Sequence, residues 1–240
     1  MYWKRRQTRL KSKDRIRELD AARGICILGM IAVHFVYDLT ELYPVLHWAY
    51  PPFFLLLKNW GGVAFFLISG ICITLGHHHL RRGLTVLGCG LLISAVTVLS
   101  GAMPIRFGVL HCLGICMLSW TVFRRASVPA LCAFAAILIP AGILVSHTVV
   151  AVPWLYPLGL IAPDFQSADF FPLLPNLGYF LAGATLGRHF YRMKESLFPD
   201  FPRFSFLCFC GRHSLILYLT HQPVLIFLIE AAISTGGTYP

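Results

Sequence analysis

Apolar residues along this chain fall in long runs, separated by short clusters of basic residues, prolines and glycines, with few polar positions inside the runs. Runs of this kind have the length of helices that cross a hydrocarbon core of about 30 Å. The pattern predicts an all-α, polytopic helix bundle of about seven transmembrane helices. The spans fall at about Ala21 to Leu39, Phe53 to Gly76, Leu84 to Leu99, Val109 to Phe123, Val128 to His147, Phe171 to Phe190 and Arg212 to Ala232. The apolar stretch Val149 to Pro163 is short and broken by Pro153, Pro157 and Pro163, and is expected to be an external re-entrant or interfacial piece.

The polar positions that interrupt the first run are the most informative. Asp20 to Asp38 reads DAARGICILGMIAVHFVYD and carries Asp20, Arg23, His34 and Asp38 inside a spanning-length helix. At about 100° per residue the step of eleven from Arg23 to His34 makes about three turns, so Asp20, His34 and Asp38 lie within roughly 60° of Arg23. A polar stripe therefore runs up this helix, rising about 16 Å between Arg23 and His34. Ionisable residues inside a membrane are expensive and default to function, whereas a single snorkelling Arg or one interhelical hydrogen bond would be a purely structural explanation.

Composition agrees with the pattern. The chain is 57% hydrophobic and 12% charged, which is too little charge for a soluble domain of 240 residues. Residues 1–18 form a basic arm ahead of a single transmembrane domain at 19–240, and the first span is expected to act as its own insertion signal. With the amino terminus inside, 18 of the 20 Lys and Arg fall on the cytoplasmic side, leaving Lys58 and Arg106 outside. An eighth span would collapse that bias, so the carboxyl terminus is expected outside. The net charge of +10 comes from these clusters and not from a basic face with interleaved aromatics, which excludes nucleic acid as a partner. The eight Cys show no CxxC pair or Cys/His ligand spacing and read as small buried hydrophobes.

Three histidines, His34, His111 and His221, fall at similar depths on three predicted spans. Imidazole titrates near neutrality and suits a general base, and Asp38, one turn beyond His34, is placed to orient it. Three histidines could also hold zinc, but nothing in the spacing fixes such a geometry, and no metal is expected. Asp169 precedes the sixth span, where it would cap the helix or bind an acceptor. His77, His78 and His79 with Arg81 and Arg82 form a turn able to hold phosphates, or one that is simply solvated. The same intramembrane charges would suit a transporter or proton-coupled carrier, although the chain lacks the two matching halves that usually mark one.

The segments LDAARGICILGMIAVHFVYDL, FFLISG, FGVLHCLG, DFFPLLPNLGYFLAGATLG and SLILYLTHQPVLI, in this order, resemble the short bacterial members of the heparan-α-glucosaminide N-acetyltransferase catalytic-domain family. The pattern Arg, ten residues, His is also similar to the signature of the membrane acyltransferase-three family. The resemblance implies a transmembrane acyltransferase that moves an acyl group, expected to be acetyl, from cytoplasmic acyl-CoA to an extracytoplasmic glycan or amino-sugar acceptor. It implies catalysis centred on His34 and a coenzyme close to Arg23; together with the residues read above, the expected catalytic set is His34, Asp38, His111 and His221, the coenzyme set Arg23, Asp20, Arg81 and Arg82, and the acceptor set Asp169, His47 and Gln222. In the eukaryotic heparan enzymes the position matching His34 is an Asn and the proposed catalytic His lies further along, where His47 is the nearest counterpart. Those enzymes have more spans, so the acceptor does not carry over. Direct transfer and an acyl-His intermediate both remain open. The expected setting is a bacterial inner membrane, with the lipid bilayer and the acceptor as partners and homo-oligomerisation left open.

The topology is testable directly. A single reporter Cys at Tyr239, with the native cysteines replaced, should react with an impermeant thiol reagent in intact cells; protection there would overturn the seven-span reading.

Overall fold

The computed structural model describes residues 15–45, 50–146, 148–202 and 204–235. His47, Tyr239 and most of the basic arm lie outside the described residues. Among the described residues eight α-helices follow one another: α1 (Arg17–Tyr37), α2 (Pro52–Leu75), α3 (His79–Leu99), α4 (Val109–Phe123), α5 (Val128–Val145), α6 (Leu173–Phe190), α7 (Ser205–Arg212) and α8 (Ser214–Thr235). A π-helical turn, Asp38–Leu42, continues α1, and a 3-10 turn, Pro153–Leu158, lies between α5 and α6. No strand occurs among the described residues, which hold only two isolated bridges, Phe107 with Phe170 and Val149 with Ile161. They tie the segments before α4 and α6 together and close the prolines at 153–163 into a cap. Tyr156 packs there against Phe165 and Phe107.

Among the described residues five helices are long and apolar enough to cross a membrane: α1 with its π-turn, α2, α3, α5 and α8. The sequence pattern promises seven, and the two others differ for local reasons. α4 is apolar but has only 15 residues. It is the most enclosed helix, burying Val109 to Gly114, Cys116, Met117 and Trp120, so most of its apolar surface faces protein, with Val122 near its end exposed. α6 carries Asn176, Arg188 and His189 among its 18 residues, and its regular geometry is broken at Leu174. The seventh predicted span is preceded by a short extra helix: α7 ends at Arg212, His213 leaves helical geometry, and α8 begins at Ser214.

The distribution of apolar surface identifies the solvent. Phe66, Phe180, Leu131, Leu181, Cys112 and Cys116 form a core where α2, α4, α5 and α6 meet. Leu84, Leu91, Leu92 and Val96 on α3, and Ile216, Val224, Phe227 and Leu228 on α8, face outward. A continuous exposed apolar surface of this kind is stable only against lipid.

Because lipid tails offer helices no hydrophobic drive to associate, close backbone approach becomes decisive. At the α1–α7 crossing a side chain at Gly24 would run into the backbone of Leu207, and one at Gly211 into the backbone of Asp20. Glu18 fastens the same corner, accepting from Ser196 Oγ at 2.8 Å and Leu197 N–H at 2.9 Å. At the far end, Tyr43 O–H donates to Glu230 at 2.8 Å. The start of α1 and the last turns of α8 therefore lie at opposite ends of the bundle.

Gly24→Ala should lower the thermal unfolding midpoint of the detergent-solubilised protein, by a stability loss of about 1–3 kcal/mol. Gly88→Ala, where an added methyl meets open space, should be neutral or stabilising by about 0.5–1 kcal/mol. Equal shifts for the two would contradict the close-crossing assignment.

Candidate active site

α1 is regular from Arg17 to Tyr37, so the stripe expected from its sequence exists, and its two ends open into different cavities. A cavity of about 120 Å³ surrounds His34 between α1 and α2. Cys26, Ile27, Met30 and Val33 wall it from α1, and Leu57, Lys58, Gly61, Gly62 and Phe65 from α2. Val109, Asp169, Phe171 and Tyr218 close the remaining side. A second cavity, about 460 Å³, lies at the other end of the stripe and gathers Arg15, Arg23, Arg81, Arg82 and Arg212 with His77 and His78. Phe65 and Tyr218 line both cavities. A third hollow of about 240 Å³ adjoins the basic cavity and shares Arg15, Arg23 and Arg82 with it, adding Lys194.

Hydrogen bonding decides which histidine has a basic nitrogen to offer. A carbonyl oxygen can only accept, so the 3.0 Å contact of His34 Nδ1 with Met30 O places the proton on Nδ1 and leaves Nε2 as the basic nitrogen of the neutral ring. The same argument holds for His221, whose Nδ1 donates to Tyr218 O at 2.6 Å, and whose buried Nε2 has no hydrogen-bond partner among the described residues. The two imidazoles meet edge to face with ring centroids 4.9 Å apart. His111 is the opposite tautomer. Its Nδ1 accepts from Gly108 N–H at 3.3 Å and its Nε2 faces Ser94 Oγ at 3.2 Å, while Ser94 donates to Ile105 O.

His111 is therefore committed to holding the start of α4, and it does not line the His34 cavity. It acts on that cavity at one remove. The α4 start that it holds presents Val109 N–H to Asp169 Oδ2 at 3.0 Å, and Tyr218 O–H donates to the same oxygen at 3.1 Å. Desolvation raises the Asp169 carboxyl above its ordinary range, against the lowering effect of these two bonds. Asp169 thus faces the cavity from the loop before α6 as a fixed hydrogen-bond acceptor.

Asp38 corrects the expectation that it orients His34. It is only 1% exposed, and both of its oxygens lie 2.9 Å from Gln222 Nε2. The π-turn that begins at Asp38 ends the regular α1 register, and the carboxylate ties α1 to α8 beside His221, while the helix's own Met30 carbonyl orients His34. Gln222 is accordingly a strut, with its Oε1 buried and unpaired among the described residues. Asp20 lies at the basic end, lining the third hollow with Arg23 and Arg82, and pairs there with Arg15 at 3.3 Å.

Arg23, Arg81 and Arg82 come together as expected, and Asp169 joins His34. Three contributors were not anticipated: Tyr218, Phe65 and Lys58. Tyr218 was within reach, because it precedes His221 by three residues and so shares its helix face. Lys58, whose ammonium lies 5.4 Å from the Tyr50 ring centroid, stood out only as one of two cations outside the cytoplasmic clusters.

Comparison with known proteins identifies the family. Neither curated proteins nor solved structures yield a match. The family model described as heparan-alpha-glucosaminide N-acetyltransferase, catalytic, matches residues 15–223, a segment that contains α1 to α7, both cavities, and the His34, Asp169, Tyr218 and His221 cluster. On that match, spanning most of the sequence, the chain belongs to the heparan-α-glucosaminide N-acetyltransferase catalytic family, an integral membrane acetyltransferase by its kinship and its apolar helices.

Proposed function

We propose that this protein transfers an acetyl group from cytoplasmic acetyl-CoA to an amino-sugar or hydroxyl-bearing glycan on the far side of a bacterial cytoplasmic membrane. The observation that carries the reading is the pair of cavities meeting at Phe65 and Tyr218, one lined by guanidinium groups and the other by a histidine and a carboxylate. Guanidinium groups in a fixed fork suit the diphosphate of a coenzyme, and bind it with charge-assisted hydrogen bonds. From Arg23 the rise along α1 to His34 is about 16 Å, of the order of a phosphopantetheine arm. With its phosphates among Arg23, Arg81, Arg82 and Arg212, the donor would reach past Ser69 and Phe65 with its thioester at the His34 cavity.

The acceptor enters from the opposite end and donates a hydrogen bond to Asp169. Its nitrogen or oxygen attacks the acetyl carbon, its proton passes to His34 Nε2, the carbon–sulfur bond breaks, and CoA leaves as the thiolate, which takes up a proton. Imidazole is the side chain that most often takes a proton in this kind of step. His221, in edge contact with His34, shares the site and supports the ring. In the route through an acetyl-imidazole, the same Nε2 is the nucleophile. A proton-coupled carrier is not favoured, because nothing in that reading calls for a basic cavity joined to the histidine site.

Two outcomes follow. Arg23→Ala should weaken acetyl-CoA binding to the purified protein by roughly tenfold or more, since loss of charge-assisted bonds costs about 1.5–3 kcal/mol and about 1.4 kcal/mol is tenfold. Isothermal titration measures it, and unchanged affinity in a folded variant would remove Arg23 from the donor site.

His34→Ala should keep acetyl-CoA affinity within a few-fold while acetyl transfer to a glucosamine probe falls by about 100-fold or more, the contribution of a general base. Near-normal transfer in His34→Ala, with transfer abolished in His47→Ala, would move the base to the loop after α1.

A further inference from the structure

Tyr218 occupies a position that the transfer scheme leaves without a role. Its ring lines both cavities, its hydroxyl donates to Asp169 Oδ2 at 3.1 Å, and its carbonyl accepts from His221 Nδ1 at 2.6 Å. Phe65 lines both cavities from α2. The two aromatic side chains stand where the cavities meet, and only the Tyr218 ring carries a polar latch.

A thioester held beside a polar acceptor chamber is at risk from water. In that side reaction water oxygen bonds to the acetyl carbon, the carbon–sulfur bond breaks, and the products are acetate and CoA thiol. A transferase has to admit the thioester while refusing water, and closed sites achieve this by excluding solvent. We infer that Tyr218 is an acceptor-sensitive partition between the donor and acceptor cavities. Latched on Asp169, its ring closes the passage. An acceptor amine or hydroxyl that donates to Asp169 Oδ2 competes with the Tyr218 hydroxyl for that oxygen, which frees the ring and opens the passage only when a nucleophile is in place. The chemical half of this inference rests on the donor reading of the basic cavity; the closed passage itself does not.

The test separates the two halves. Cys26 lines the His34 cavity and serves as the reporter, with the other seven cysteines replaced. In inside-out membrane vesicles, a charged thiol reagent reaching the protein from its basic end should label Cys26 slowly when Tyr218 is present. In Tyr218→Ala labelling should be roughly tenfold faster. Tyr218→Phe, which keeps the ring and loses the latch, should fall between them, and it stands in if the alanine variant fails to fold. With purified protein and acetyl-CoA but no acceptor, CoA thiol release should rise in the same order.

Cys26 labelling that is the same in wild type, Tyr218→Phe and Tyr218→Ala would overturn the partition. Faster labelling without any acetyl-CoA binding or hydrolysis would support the partition and overturn the donor reading. A phenylalanine variant matching wild type in both measurements while the alanine variant differs would confine the role to the ring and overturn the Asp169 latch.

Discussion

A polar side chain carried to membrane depth has to be satisfied by protein, because the surrounding lipid offers neither donors nor acceptors. That constraint organises the interior of this molecule. Asp38 is closed off by Gln222, His111 by Gly108 and Ser94, and Asp20 by Arg15. Each pair joins elements distant in sequence or fixes a helix terminus. What remains unsatisfied is then conspicuous. His34 lines a cavity, and its neighbour His221 keeps an unpaired buried nitrogen among the described residues. Spending most polar groups on structure leaves a small, defined set for chemistry.

The glycines serve the same economy. Crossings as close as Gly24 with Leu207 and Gly211 with Asp20 bring α7 against the first turns of α1, so that Arg212 arrives at the basic cavity beside Arg23. The enclosed α4 delivers Val109 N–H to Asp169, and Asp169 in turn takes the hydroxyl of Tyr218 from α8. The basic cavity and the His34 cavity are thus positioned by one chain of contacts through α1, α4, the loop before α6, and α8.

Most of the helix pattern was legible in the sequence, because long apolar runs have few alternatives, and the stripe of Arg23 and His34 survives in the fold because α1 stays regular between them. The errors arose where local geometry departs from the regular helix. The π-turn at Asp38 redirects that carboxylate to Gln222, which no count of residues along an ideal wheel anticipates. His111 has the right residue type and depth for a base, yet its tautomer is set by a backbone N–H three residues earlier, a contact that appears only once the start of α4 is folded. Ahead of the last predicted span the chain folds a separate short helix, α7, which ends at Arg212. Tyr218 shares the helix face of His221, but its importance comes from Asp169, 49 residues away in sequence, a contact that only the fold supplies.

The central claim is that a donor held at the basic cavity presents its reactive end to His34 past Tyr218. A structure of the His34→Ala protein bound to acetyl-CoA tests it most directly. The account predicts phosphate oxygens within hydrogen-bonding distance of Arg23 or Arg82, and the thioester carbon beside residue 34 and Asp169. Acetyl-CoA bound with its phosphates away from these arginines, or with its acetyl group outside the cavity formed by α1, α2 and Tyr218, would contradict it.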